Sequence, residues 1–441
     1  MLVLRAITDD EYEAFRATLF TTFGDDLERD PDGAARARAL LQPGRAWATF
    51  DGATMVATAA TFALTLGVPG GTMPMAGLTM VSVRPTHRRR GLMRALIERH
   101  LDDARAHGEP ISGLWASQAT IYGRFGFGIA AEAEDLALDC RNATVSDGRD
   151  LDDTTWIEAD EARRRLPPIY ARAVADRPGV LHRTPVWWDQ RRFLEAPFVR
   201  GGASLRRTVV AVRDGVDVGY VVYRARGAWT DNVPSGETDI DELLAVDGRA
   251  EATLWRFVAG IDLFPRAVWD NAPVDGALPW LVGDPRALRR RRCDALWLRI
   301  DDVAAALAGR RYPRDGALTF ALEDQTWRLE ATGGRGSCAP TTTTPDLHLD
   351  RASLSSMFLG GVSATTLARA GRLRGSIAAV RTADELLGWP VPPWCPEVFE
   401  QDADKRGAAA LSASCPVPVP VPLPVPVRSG IRDGSGTDPV T

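Results

Sequence analysis

Arg88-Arg89-Arg90-Gly91 places three guanidinium charges and one flexible joint just before a helical pattern. About thirty residues on, Tyr122 stands beside Gly123, Gly126 and Gly128. The first group suits an anion, because a helix start offers free N–H groups and arginine adds charge-assisted donors. The second suits proton transfer, because a phenol is protonated at neutral pH and the glycines permit a tight turn to present it. Taken alone, the loop reads equally as a solvated basic turn. Tyr122 alone reads as a packing aromatic near Phe125 and Phe127.

These residues need elements to hold them. Leu78 to Val83 is apolar and β-branched between Gly77 and Pro85, which predicts a strand. Leu92, Ala95, Leu96, Arg99 and Asp103 keep helical spacing up to Gly108. Ile111 to Ala116 predicts a second strand, with Ser117 and Gln118 at its end. Strand, basic loop, helix and strand make one crossover unit. Before it, Met1 to Ala6 reads as a strand, and Asp9 or Asp10 is the expected cap of a helix carrying Tyr12, Phe15 and Leu19. Phe20 and Phe23 read as core. Asp51-Gly52 predicts a hairpin. Ala130 to Asp139 adds a strand, and the first domain is expected to close near residue 142.

From about residue 155 the order repeats. Thr208 to Val212 and Val218 to Tyr223 flank Asp214-Gly215 as a hairpin, then a strand, Asp247-Gly248 and a helical run from Glu251 follow. This is an internal duplication. The second loop has no arginine three before its glycine, so it is not expected to hold phosphate. Arg286 to Arg292 reads as a solvated linker or interface stretch. From Leu296 a different α+β pattern begins and runs to Phe399.

Composition limits the function. The chain has 441 residues, 45% of them hydrophobic and 25% charged, with a formal net charge of −5. Two or three domains are expected. The charge argues against a nucleic-acid partner and favours cationic substrates. No run is long enough for a membrane span, and acidic residues follow the first apolar ones too soon for a signal peptide, so a cytoplasmic location is expected. Five scattered cysteines and five scattered histidines suggest neither a disulfide framework nor a metal site.

HRRRGLMRAL followed by WASQATIYGRFGFG resembles the enhanced intracellular survival (Eis) family of GNAT N-acetyltransferases, over residues 1 to about 399. The resemblance implies tandem GNAT-like mixed-sheet domains, at 1–142 and 150–285, followed by a sterol-carrier-protein-like α+β domain at 290–399. It implies acetyl-CoA as co-substrate, with no metal. Contacts to it would come from Val81, Ser82 and Val83 on the strand, from Arg89, Arg90, Gly91, Leu92, Met93 and Arg94 in the loop and helix start, and from Ser117 and Gln118. Met93 departs from the family's small residue. The resemblance further implies Tyr122 as proton donor, a homohexamer, and an amine-bearing small molecule, such as an aminoglycoside, or a lysine side chain as acceptor.

The base is left open. In the family the terminal carboxylate accepts the proton, and the matching position is Phe399. Here residues 400–441 follow, with a Pro416 to Val427 stretch expected to be polyproline II and the remainder disordered. A carboxylate at Phe399 requires the tail to be absent. Thr441, Glu397, Glu400 or a water relay are the other choices. The competing reading is a non-catalytic acyl-CoA- or lipid-binding protein that has lost its terminal carboxylate.

Overall fold

The computed structural model describes residues 1–24, 27–145 and 150–399. Its first sheet begins with β1 (Leu2–Ala6), β2 (Ala46–Asp51) and β3 (Thr54–Val68), all antiparallel neighbours. Asp51-Gly52 turns β2 into β3, with Gly52 at φ +59°. β4 (Gly71–Val83) starts well before Leu78, because Gly70, at φ +68°, folds the chain straight back on β3. β5 (Ile111–Trp115) lies parallel to β4.

Three helices accompany this sheet. α1 (Tyr12–Phe23) buries Tyr12, Phe15, Leu19 and Phe20. The start of its helical segment is closed by Thr8 and Glu11 rather than by Asp9 or Asp10: the Glu11 carboxylate accepts from the Thr8 N–H at 2.9 Å. α2 (Gly33–Leu40) follows. α3 (Leu92–Ala106) buries Leu92, Leu96 and Ile97 in a separate core with Trp47, Val56 and Leu114.

Two strands stand where the sequence did not suggest. Glu132–Asp139 is a strand, but it joins the second sheet, between Leu288–Asp294 and Arg266–Ala272. The first sheet instead receives Leu296–Ile300, which pairs with β5 along its whole length and with Gly128–Ile129. Charge explains the exchange. The arginine run, expected as a solvated linker or interface stretch, forms the strand Leu288–Asp294 against the acidic strand. Arg290 pairs with Glu134 at 2.7 Å, and Arg291 pairs with Asp135. The apolar strand Leu296–Ile300 fills the buried slot left in the first sheet.

The second sheet otherwise repeats the first. Asp153–Ile157, Arg207–Arg213, Val216–Arg226 and Glu237–Ala245 run antiparallel, the helix Gly248–Ala259 crosses over, and Arg266–Ala272 returns parallel. A five-stranded sheet and four helices between Val303 and Leu387 complete the described fold. Leu318, Phe320, Leu329, Leu354 and Met357 close over the inside of that sheet and leave a cavity of about 10 Å³. That is room for one water at most.

Candidate active site

The site exists because β4 and β5 part company. They are paired only at Met75–Gly77 against Ile111–Gly113. Beyond Gly77, β4 keeps its ladder to β3, while among the described residues no ladder joins it to β5. A bulge marks the divergence. Thr58 opposes Ser82 and Ala60 opposes Thr79, so β4 carries one extra residue there. Met80 takes it up at φ +54°, a left-handed conformation that costs a non-glycine residue about 1–2 kcal/mol. Thr58 Oγ1 steadies the bulge by donating to the Met80 carbonyl at 2.8 Å and lying 2.7 Å from Ser82 Oγ.

The helix after the loop supplies the other wall. Arg89 (φ +63°) and Gly91 (φ +79°) are both left-handed, and no side chain caps α3 at Gly91. An added Cβ at Gly91 would meet nothing within 4 Å, so backbone conformation rather than space calls for glycine there. The first N–H groups of α3 therefore face the loop with three arginines around them. The duplicated helix differs at this point. Asp247 caps it, accepting from the Ala250 N–H at 3.0 Å, and Arg213 holds that carboxyl down at about 2. A carboxylate already fills the place an anion would take.

A cavity of about 670 Å³ lies between these walls. It brings together Val81, Ser82 and Val83 from β4, Arg89, Gly91, Leu92, Met93 and Arg94 from the loop and α3, and Ser117, Gln118 and Tyr122 from beyond β5. Arg90 is exposed and is not on this wall. Arg88, one of the three loop arginines, is on it, and so is Arg124, whose charge beside Tyr122 in the IYGRFGFG stretch was its only sequence signal. Phe20 is core, whereas Phe23 lines the cavity at the end of α1. Tyr122 is buried in the short helix Ala119–Tyr122, edge-on to Phe127 at 6.2 Å. The donors suit a polyanion at the loop end, and the open edge of β4 suits an amide-bearing chain at the other.

The C-terminal segment reaches the same strand. Thr79 Oγ1, next to the bulge, donates to the Phe399 carbonyl at 2.7 Å, and Phe399 is fully buried. Glu397 does not serve as a free base. Its oxygens accept from Arg183 Nε and from Trp187 Nε1 (2.9 Å), and it is 2% exposed. Glu400 and Thr441 lie outside the described residues, as does the proline-rich stretch. Among the described residues no group of three or more His, Cys, Asp and Glu side chains could hold a metal, and no helix is long and apolar enough to cross a membrane.

Comparison with known proteins agrees with this geometry. The acetyltransferase (GNAT) domain family matches residues 3–130, a second acetyltransferase (GNAT) domain family matches residues 179–300, and the sterol carrier protein domain family matches residues 285–396. An uncharacterized N-acetyltransferase of Streptomyces avermitilis is 36% identical, over 90% of this chain and 99% of its own. N-acetyltransferase Eis of Mycobacterium bovis is 34% identical, over 83% of this chain and 92% of its own. The crystal structure of Eis1 from Mycobacterium abscessus superposes with a TM-score of 0.77 at 29% identity, covering 90% of this chain and all of that one.

Proposed function

Because the chain belongs to the Eis family of GNAT N-acetyltransferases, we propose that it transfers the acetyl group of acetyl-CoA to primary amines of a polycationic acceptor, an aminoglycoside-like molecule or a lysine side chain. The observation that carries this reading is the opened edge of β4 facing the uncapped start of α3 across one cavity. The net charge of −5 supports a cationic acceptor. The same family resemblance supports a homohexamer in the cytoplasm.

In the proposed reaction the amine nitrogen attacks the thioester carbonyl, the new C–N bond forms and the C–S bond breaks. Val81, Ser82 and Val83 hold the pantetheine arm through their backbone, with Ser117 and Gln118 beside it. Arg88, Arg89 and the N–H groups of Leu92, Met93 and Arg94 hold the diphosphate, and Arg90 adds charge to the same loop. Tyr122 gives its proton to the departing thiolate. The proton lost by the amine goes to a carboxylate at position 399 when the chain ends there, or to the Thr441 carboxylate. Thiol release from acetyl-CoA, measured against a panel of aminoglycosides and a lysine-containing peptide, tests the proposal. Release with the aminoglycosides or the lysine-containing peptide, and none with a simple alkylamine, is the expected result. Release without preference among amines overturns the acceptor class.

A further inference from the structure

The segment Trp394 to Phe399 is held at nearly every residue. Gly179, at φ +91°, lets it pass, since an added Cβ would lie 2.8 Å from the Trp394 carbonyl oxygen. Trp394 Nε1 donates to the Asn271 carbonyl at 2.9 Å, and Asn271 Nδ2 donates to the Cys395 carbonyl at 3.0 Å. Arg191 donates to the Val398 carbonyl at 2.5 Å. Thr79 takes the Phe399 carbonyl. Glu397 carries the one buried charge of the segment, and it meets Arg183.

Arg183 has no exposed side-chain surface. Its guanidinium lies against the rings of Tyr170 and Trp188, 3.7 and 4.5 Å from their centroids. It binds Glu242 with two nitrogens and Glu397 with the third. Arg192 pairs with Glu242 at 3.1 Å, and Tyr220 donates to the same carboxylate. Two arginines and two carboxylates therefore balance in the interior. Such a cluster is a poor source of stability, because apolar groups of equal volume often do as well. What it supplies is direction: a planar fork whose two Nη atoms are taken by Glu242 leaves one direction, along Nε–H, for Glu397.

We propose that Arg183 is a positioning residue for acetyl transfer: through Glu397 it fixes the main chain of Phe399 against the bulge of β4. The proposal rests on reading position 399 as part of the acetyl-transfer site. It gives the duplicated domain a task, since Arg183, Arg192 and Glu242 lie in or beside its sheet while Thr79 belongs to the first. The positioned group is the main chain, so the contact serves whichever carboxylate accepts the proton.

The test uses full-length Glu397→Gln, Trp187→Phe, Thr79→Val and Asp152→Asn. Each is read for kcat at saturating acetyl-CoA and amine, for acetyl-CoA Kd by calorimetry, and for Tm. Trp187→Phe removes one donor to Glu397 and keeps an aromatic ring, so it decides the matter if Glu397→Gln does not fold. Asp152 is also buried in an ion pair, but its partners Arg213 and Arg249 do not touch the segment. The expected result is a fall in kcat of about tenfold or more for Glu397→Gln and Trp187→Phe, with Kd within about twofold. Asp152→Asn should lower Tm and leave kcat unchanged. If Thr79→Val lowers kcat while the folded Glu397 and Trp187 variants do not, positioning by Arg183 is overturned and the site reading stands. If none of the three lowers kcat, the site reading fails and takes the proposal with it. An equal fall for Asp152→Asn also overturns the proposal, because the loss then follows stability alone.

Discussion

The hydroxyl of Thr79 and the carbonyl of Phe399 meet at 2.7 Å, across 320 residues of sequence, inside the protein. The bond joins the strand that parts from β5 to position 399, where the proposed reaction puts one of its two candidate proton acceptors. Its two ends can be tested separately.

A form of the chain that ends at Phe399 has a carboxylate where the full chain has a peptide carbonyl. We expect its kcat to exceed that of the full chain, with acetyl-CoA affinity unchanged. Thiol-release kinetics of the two forms, each verified by intact mass, check this. Equal rates count against a terminal-carboxylate role at position 399.

Replacing Thr79 by valine keeps the shape and deletes the donor. A buried carbonyl left unsatisfied costs about 1–3 kcal/mol, so unfolding by urea should show a loss of that order.

Tyr122→Phe should lower kcat by about 10²–10⁴-fold if the phenol gives up the proton. Calorimetry should find acetyl-CoA binding nearly unchanged, since the ring remains to pack against Phe127.

Arg89→Gln combined with Arg90→Gln should weaken acetyl-CoA about 10–100-fold, as loss of charge-assisted hydrogen bonds predicts. The remaining affinity should depend less on ionic strength than in the native protein. Comparing Arg89→Gln with Arg90→Gln singly adds a sharper check. Only Arg89 stands on the cavity wall, so it should carry most of the loss.

His100 provides a pH test of the first core. Burial, then the charges of Arg45 and Arg299, push its pKa from 6.5 to about 3. Thr61 Oγ1 lies 2.6 Å from its Nδ1 and Ser112 Oγ lies 3.0 Å from its Nε2. Between those two pKa values the unfolded chain binds the proton and the folded chain does not. Each unit of acidification across that window should therefore remove about 1.4 kcal/mol of stability, on the order of a few kcal/mol in all. Above about pH 6.5 the effect vanishes. Urea unfolding of the native chain and of His100→Gln along a pH series should diverge in slope only below that point.

What the sequence revealed was local. The basic loop, the helix behind it and the turns at Asp51-Gly52 and Asp214-Gly215 carry their conformations in neighbouring residues, and each stands where expected. The family resemblance likewise named the strand, loop and tyrosine that now surround one cavity. Properties set by distant partners were not legible. Nothing in Glu132–Asp139 says that it leaves its own sheet, because its partner is the arginine run more than a hundred and fifty residues later. Four arginines in a row look solvated until an acidic strand lies beside them. Met80 gives no sign of a bulge, and Glu397 resembles any surface glutamate until Arg183 is seen to bind it.

The crossing of Glu132–Asp139 and Leu296–Ile300 between the two large sheets has a practical outcome. A gene fragment stopping near residue 142 would carry the basic loop intact, yet leave β5 with a bare, aggregation-prone edge. The catalytic portion is consequently no portable cassette. Recombination or protein engineering that swaps it must exchange everything through residue 300 as one block.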